Sequence, residues 1–398
     1  MRTTVLTSLA CLTLGTTASA QSTYSEMLRD QGLSGTISTL QAIDAPSPSD
    51  AFALGGAQFL AAIEHTLQLR YATAFNEEML RGINLPFLRL PQTLTNPNAT
   101  PFESGIVATL FEGAVADLGP AITSLDTITD NDAVAVKINT QDIWFDINAN
   151  GNRDAGEGVF EVVSRHLNIT DTSTAITIQF DTADAAWLSA YAHMLSGVSE
   201  TILATDPTPA ITRVIAASDA IKAFNVERPR SYVTGDDGYF LDLISMFIYV
   251  IEGTPDAPRL AAAHDHFLSM IADNRTFWAH VATETDNKME WIPNPTQQSV
   301  LPIPFDPNIG PMWQGVLADA EAVLNGDLLI PHWRFGDDVG INLEVFMNNP
   351  PDINIVSMIQ GEGVLPYVEK GLLVNRQRLW QFEQLVGGAA PLYMVVLN

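Results

Sequence analysis

Cysteine is almost missing: the 398-residue chain has one, Cys11. A single cysteine excludes a disulfide framework, and its place in the leading apolar run would leave a processed chain with no thiol chemistry at all. Positive charge is also scarce, with 19 Lys and Arg against 46 Asp and Glu. A net charge of −27 argues against nucleic acid or an anionic membrane as partner, because both would be repelled. Beyond the first twenty residues, long apolar runs are lacking as well. The most apolar stretch, Tyr239 to Ile251, is interrupted by Asp242 and is too short to span a bilayer, so it predicts a buried helix. Familiar catalytic signatures are absent too: no G-x-S-x-G, S-x-x-K, H-E-x-x-H, Walker loop or dinucleotide fingerprint occurs. No repeat of fixed period supports a solenoid.

What the chain does have begins with an export signal. Arg2, the apolar run from Val5 to Gly15 and the small residues Ala18-Ser19-Ala20 predict a signal peptide over residues 1–20, cleaved before Gln21. Ser8-Leu-Ala-Cys11 partly matches a lipoprotein box, but Ser8 stands where a large aliphatic residue is expected and the apolar run continues past Cys11. The expectation is a periplasmic or secreted protein, with 18 of the 19 basic residues remaining after Arg2 is lost.

The most specific stretch is Asp146-Ile-Asn148-Ala-Asn150-Gly151-Asn152-Arg-Asp154-Ala-Gly-Glu157. It fits D-x-[DN]-x-[DN]-G-x5-E at every specified position. A short polar loop of this kind can supply a hard cation with oxygens in order. Asp146, Asn148 and Asn150 would give side-chain oxygens, Gly151 the sharp turn and Asn152 its backbone carbonyl. Asp154 would act directly or through water, and Glu157 would close the site with both oxygens. The stretch resembles the EF-hand family, and more closely the EF-hand-like loops of secreted bacterial proteins. That resemblance implies calcium binding over these twelve residues and says nothing of an activity. Two features depart from the family: Arg153 at the eighth position, where an apolar residue is usual, and Gly158 directly after Glu157. A single unpaired loop also argues against a sensor, which needs a bistable helix pair. Three carboxylates and two amides suit the higher calcium concentrations outside the cell.

The predicted fold class is mainly α: a multi-helical globular body over residues 21–131 and 181–398, with a small β-containing insert at 132–180 that carries the loop. Ser47-Pro-Ser-Asp50 caps a helix running to about Phe75 with Phe52, Phe59, Leu60, Ile63 and Leu67 at helical spacing. A proline-rich connection leads to a second helix from Glu103 towards Ile122. Further helices are expected at 187–204, 209–224, 239–252, 257–283, 312–324 and 375–385, with an irregular stretch between Pro293 and Pro311. In the insert, 133–138, 143–145 and 175–180 read as short strands, the entry Gln141 to Phe145 as strand, and Val159 to Val163 as helix or strand.

Polar clusters in the second half carry the alternatives. His264-Asp-His266 cannot share one ion on a helix, because residues two apart point to nearly opposite sides. His280, Glu284 and Lys288 read as an ion-pair ladder on a surface helix. Glu284, Asp286 and Glu290 beside Trp291 and Asn294 read alternatively as paired carboxylates with an aromatic platform, which suits glycoside hydrolysis. Pro331-His332-Trp333-Arg334-Phe335 reads either as a core segment, with Arg334 paired to Asp337 or Asp338, or as part of a ligand site. Phe224 to Arg230 reads as a helix end whose basic residues favour the dipole. Two functions follow: an exported calcium-stabilised helical protein with a structural or partner-binding role, or an exported hydrolase using Glu284 to Glu290 and His332 to Arg334. A protein or glycan partner fits either.

Overall fold

The computed structural model describes residues 20–75, 85, 87–167, 175–224, 236–301 and 305–387. The expected signal peptide up to Ser19 and the Asn225 to Arg230 part of the basic helix end lie outside these residues. The protein is mainly helical, with strands only in two small sheets among the described residues. Twelve α-helices are present among the described residues. The helices that build the body are α1 (Ala20–Gln41), α2 (Pro48–Ala72), α3 (Ile106–Leu125), α5 (Thr182–Ala204) and α8 (Ala257–Val281), with the short α4 (Val159–Leu167) in the insert. The body packs α1 on α2, α2 on α3, α3 on α5 and α5 on α8, so helices before and after the insert share one core. Leu67, Phe111, Ala114, Leu118, Ala192 and Phe277 are all fully or almost fully buried in it.

Local chemistry sets the helix starts. Ser47 and Asp50 form the capping box of α2, with Pro48 just inside. Asp181 and Asp184 form that of α5. Helix α3 is apolar and long enough to cross a membrane by length and composition alone, but its apolar side chains Leu110, Phe111 and Leu118 are buried where it packs on α2 and α5.

The insert holds β1 (Val136–Asn139) and β2 (Thr177–Phe180), paired antiparallel from Val136 with Phe180 to Asn139 with Thr177. The expected entry strand is instead a 3-10 turn at Thr140–Asp142 and one bridge between Trp144 and Gly158. So short an entry leaves no room for a ladder, and its β-prone side chains are used for packing: Trp144 and Phe145 are buried. Trp144 lies in a break of α1, where Gly32 takes a φ of +64°, and its Nε1 donates to Leu28 O at 2.9 Å. A Cβ on Gly32 would stand 3.0 Å from the indole, so only glycine fits both the backbone and the contact.

A second sheet has no counterpart in the sequence pattern. It joins β3 (Ile330–Pro331), β4 (Val339–Ile341) and β5 (Val368–Lys370) antiparallel in strands of two or three residues, too short to show alternation. Helices α6 (Thr208–Phe224), α7 (Asp236–Ile251), α9 (Ile309–Leu324) and α12 (Gln377–Leu385) overlap the expected segments, whereas the short helices α10 (Leu343–Asn348) and α11 (Ile355–Gln360) do not correspond to any. Helix α7 is not buried as expected: Leu241, Ile244, Phe247 and Ile251 are exposed on it.

Candidate metal centre

The Asp146 to Glu157 loop closes on itself through its own side chains. Asp146 Oδ1 accepts from Asn150 N at 2.9 Å and Oδ2 from Gly151 N at 2.8 Å. Asn148 Oδ1 accepts from Asn150 N and Asn150 Oδ1 from Asn152 N, which turns the chain at alternate positions. Gly151 has a φ of +76°, the left-handed conformation that the sixth position requires. Both Asn148 Nδ2 and Asn150 Nδ2 donate to Asp154 Oδ2 at 2.7 Å, so these three side chains meet at one point. Each amide oxygen keeps a second lone pair beyond the backbone N–H it accepts.

Glu157 is the anchor. It is 0 % exposed, with Oε1 accepting from Ile147 N at 2.9 Å and Oε2 from Asp154 N at 2.6 Å. Burial raises its pKa above the ordinary carboxylate range despite those bonds. Phe145 N donates to Glu157 O, tying the two ends of the loop together before α4 begins.

Sequence reasoning missed a fourth acid. Glu64 of α2 is 5 % exposed and accepts from Asp146 N at 2.6 Å. Its pKa is pushed up to about 7, first by burial and then by the charges of Asp146 and Glu157. One turn along, Gln68 Nε2 donates to Asp146 O at 2.8 Å. The signal was present in α2, where Glu64 sits between Ile63 and Leu67 on the apolar stripe, a place that a lone carboxylate does not take without a partner. Among the described residues, no Lys or Arg forms an ion pair with Glu64, Asp146, Asp154 or Glu157. Arg153 turns away, donating to Gln141 O. These residue types supply an all-oxygen donor set once the Asn148 and Asn150 oxygens turn in where their nitrogens now face Asp154, and such a set fits a hard divalent cation.

The other candidates separate. Helix α8 ends at Val281, so Glu284 and Lys288 are not on a helix and form no ladder. Lys288 pairs instead with Asp286 at 3.2 Å, and His280 reaches Asp130 at 3.1 Å. The chain after α8 returns along β2, where Gln179 N donates to Met289 O. That brings Glu284 and Glu290 to Asp181, with one oxygen of each within 4.8 Å of the others. Glu284 accepts from Gln297 Nε2 and is raised to about 7 by burial and by its acidic neighbours. Trp291 packs on Trp187 and Phe180 beside it.

The His332 segment does not join this group. His332 Nε2 meets Met358 O and Trp333 Nε1 donates to Ile359 O, next to α11. Trp333 is 70 % exposed, so the segment is no core element; Arg334 lies over its ring at 4.4 Å and, among the described residues, forms no ion pair with Asp337 or Asp338. Clefts of about 330 Å³ beside Arg70 and Asn96 and about 220 Å³ beside Arg153 and Phe160 include none of Glu284, Glu290, His332 and Arg334. Compared with known proteins, the chain matches no family model, no curated protein and no solved structure.

Proposed function

We propose that this is an exported, acidic calcium-binding helical protein in which the ion is structural, held by Asp146, Asn148, Asn150, Asn152, Asp154 and Glu157. The observation that carries the proposal is the way the loop is built into the body. Glu157 is wholly buried under it, and Glu64 of α2 holds the backbone of its first residue. A divalent ion there would offset several neighbouring negative charges and so fasten the insert to α2. When bound, calcium supplies charge and a fixed oxygen geometry, and no chemical step follows from it. Chelator-treated protein and protein in excess calcium should melt at different temperatures, calcium giving the higher. Asp146→Asn with Asp154→Asn should abolish that difference while leaving the chelator melt nearly unchanged; equal melts for the wild type would refute the reading.

The hydrolase alternative retains one supporting observation, the meeting of Asp181, Glu284 and Glu290, in which a raised Glu284 could serve as acid beside an ionised partner. It loses His332 and Arg334, whose partners lie elsewhere. Release of reducing ends from a glycan panel, abolished by Glu284→Gln, would establish it, and silence across the panel would end it.

A further inference from the structure

We infer that His193 and His266 form a binding site for a divalent first-row transition ion of the zinc class, separate from the calcium loop. The two imidazoles face each other across the α5–α8 contact, with Nδ1 atoms 2.8 Å apart, ring centroids 5.0 Å apart and planes at 49°. Both rings are half-buried. In the metal-free chain one Nδ1–H donates to the other Nδ1, so the rings are opposite tautomers. Two imidazole nitrogens on one tetrahedral zinc, each about 2.0–2.1 Å from the ion, stand about 3.3 Å apart. In nitrogen–nitrogen distance the pair is therefore about half an ångström short of that arrangement. The ring that now carries its proton on Nδ1 would carry it on Nε2 once the ion is bound, so no net proton leaves.

The surroundings favour imidazole as ligand rather than as cation. Burial lowers the pKa of both rings, His193 to about 4, which disfavours the imidazolium form that could not bind an ion. Glu200 and Asp265 place negative charge near His266, and Glu200 is itself bonded to Arg259 Nη1 at 2.9 Å. The frame is rigid. Gly197, one turn beyond His193, lets α8 approach so closely that a Cβ there would stand 2.8 Å from Phe267 Cε1. Polar residues recur every seven positions along this seam: Arg259, His266, Asp273 and His280 on α8, and His193 and Glu200 on α5. Arg259 and His280 have acidic partners, whereas the two histidines bond to each other. The neighbouring His264 points to α9, where its Nε2 meets Leu324 O, so it does not compete. Two protein nitrogens leave the remaining coordination positions to water or an outside ligand.

The test is zinc titration of the chelator-stripped full chain in excess calcium, so that the loop is not what is read. One equivalent should bind, and His193→Gln or His266→Gln should each weaken it about tenfold or more, with His65→Gln as an unaffected surface control. Imidazole nitrogen NMR of the unsubstituted protein gives a readout that does not depend on the variants folding: zinc should shift the Nδ1 resonances of two rings. No zinc uptake by the wild type, uptake untouched by either substitution, or shifts on other rings only would overturn the inference.

Discussion

Two places in this molecule gather carboxylates, and they do so in opposite ways. In the Asp146 to Glu157 loop the acids come from twelve consecutive residues, and backbone N–H groups are assigned to most of their oxygens. In the Asp181, Glu284 and Glu290 group the acids come from two segments more than a hundred positions apart, brought together by the pairing of β2 with the segment after α8. The loop engages four carboxylate oxygens with backbone N–H groups, yet burial still raises Glu157 and takes Glu64 beneath it to about 7. The second group has fewer such donors, Ala183 N to Asp181 and Lys288 N to Glu290, and there Glu284 also rises to about 7, by burial and by its acidic neighbours. Proximity of carboxylates is thus a weak sign of a cation site. Preorganised donors around them are a stronger one.

Substitutions should separate the two places by size of effect. Glu157→Ala leaves two N–H groups, that of the buried Ile147 and that of Asp154, without their acceptors. It should cost about 3 kcal/mol in denaturant unfolding even with chelator present. Next comes the ion itself: at a hundredfold excess over its dissociation constant, calcium should add about 2.7 kcal/mol to the wild type and nothing to Glu157→Ala. Gly32→Ala forces a side chain into a positive-φ position against Trp144 and should cost about 2 kcal/mol, read as an earlier urea midpoint.

The smallest effect belongs to the second group, and its sign depends on pH. A carboxyl whose pKa is raised on folding binds its proton more firmly in the folded state, so stability falls as pH climbs from about 4.5 to about 7. Glu284→Gln should therefore stabilise by about 1 kcal/mol above pH 7, after allowance for partial solvent screening, and leave melts near pH 4 unchanged. A pH-independent effect would mean that the group is not held together against its own charge.

Legibility in the sequence follows the same divide. The loop's turn, its glycine and the capping boxes of α2 and α5 depend on residues two to six positions apart, and such spacings are visible in a string of letters. The helical body was legible because each long helix repeats its apolar residues many times. Glu64, His193 and the meeting of Asp181 with Glu290 were not, because each depends on which helix or strand lies opposite, and no local pattern encodes that. His266 shows the limit well: its inability to pair with His264 could be argued from helix geometry, but its actual partner on α5 could not. The β3–β5 sheet escaped for a different reason, since strands of two or three residues carry no period.

The central claim is that the loop binds calcium, and calorimetric titration of the chelator-stripped protein tests it most directly. The account predicts one saturable calcium per chain, lost in Asp146→Asn with Asp154→Asn and weakened in Glu64→Gln. A featureless titration of the wild type, or one unchanged in the double variant, would contradict it and leave Asp146 to Glu157 a self-satisfied polar turn.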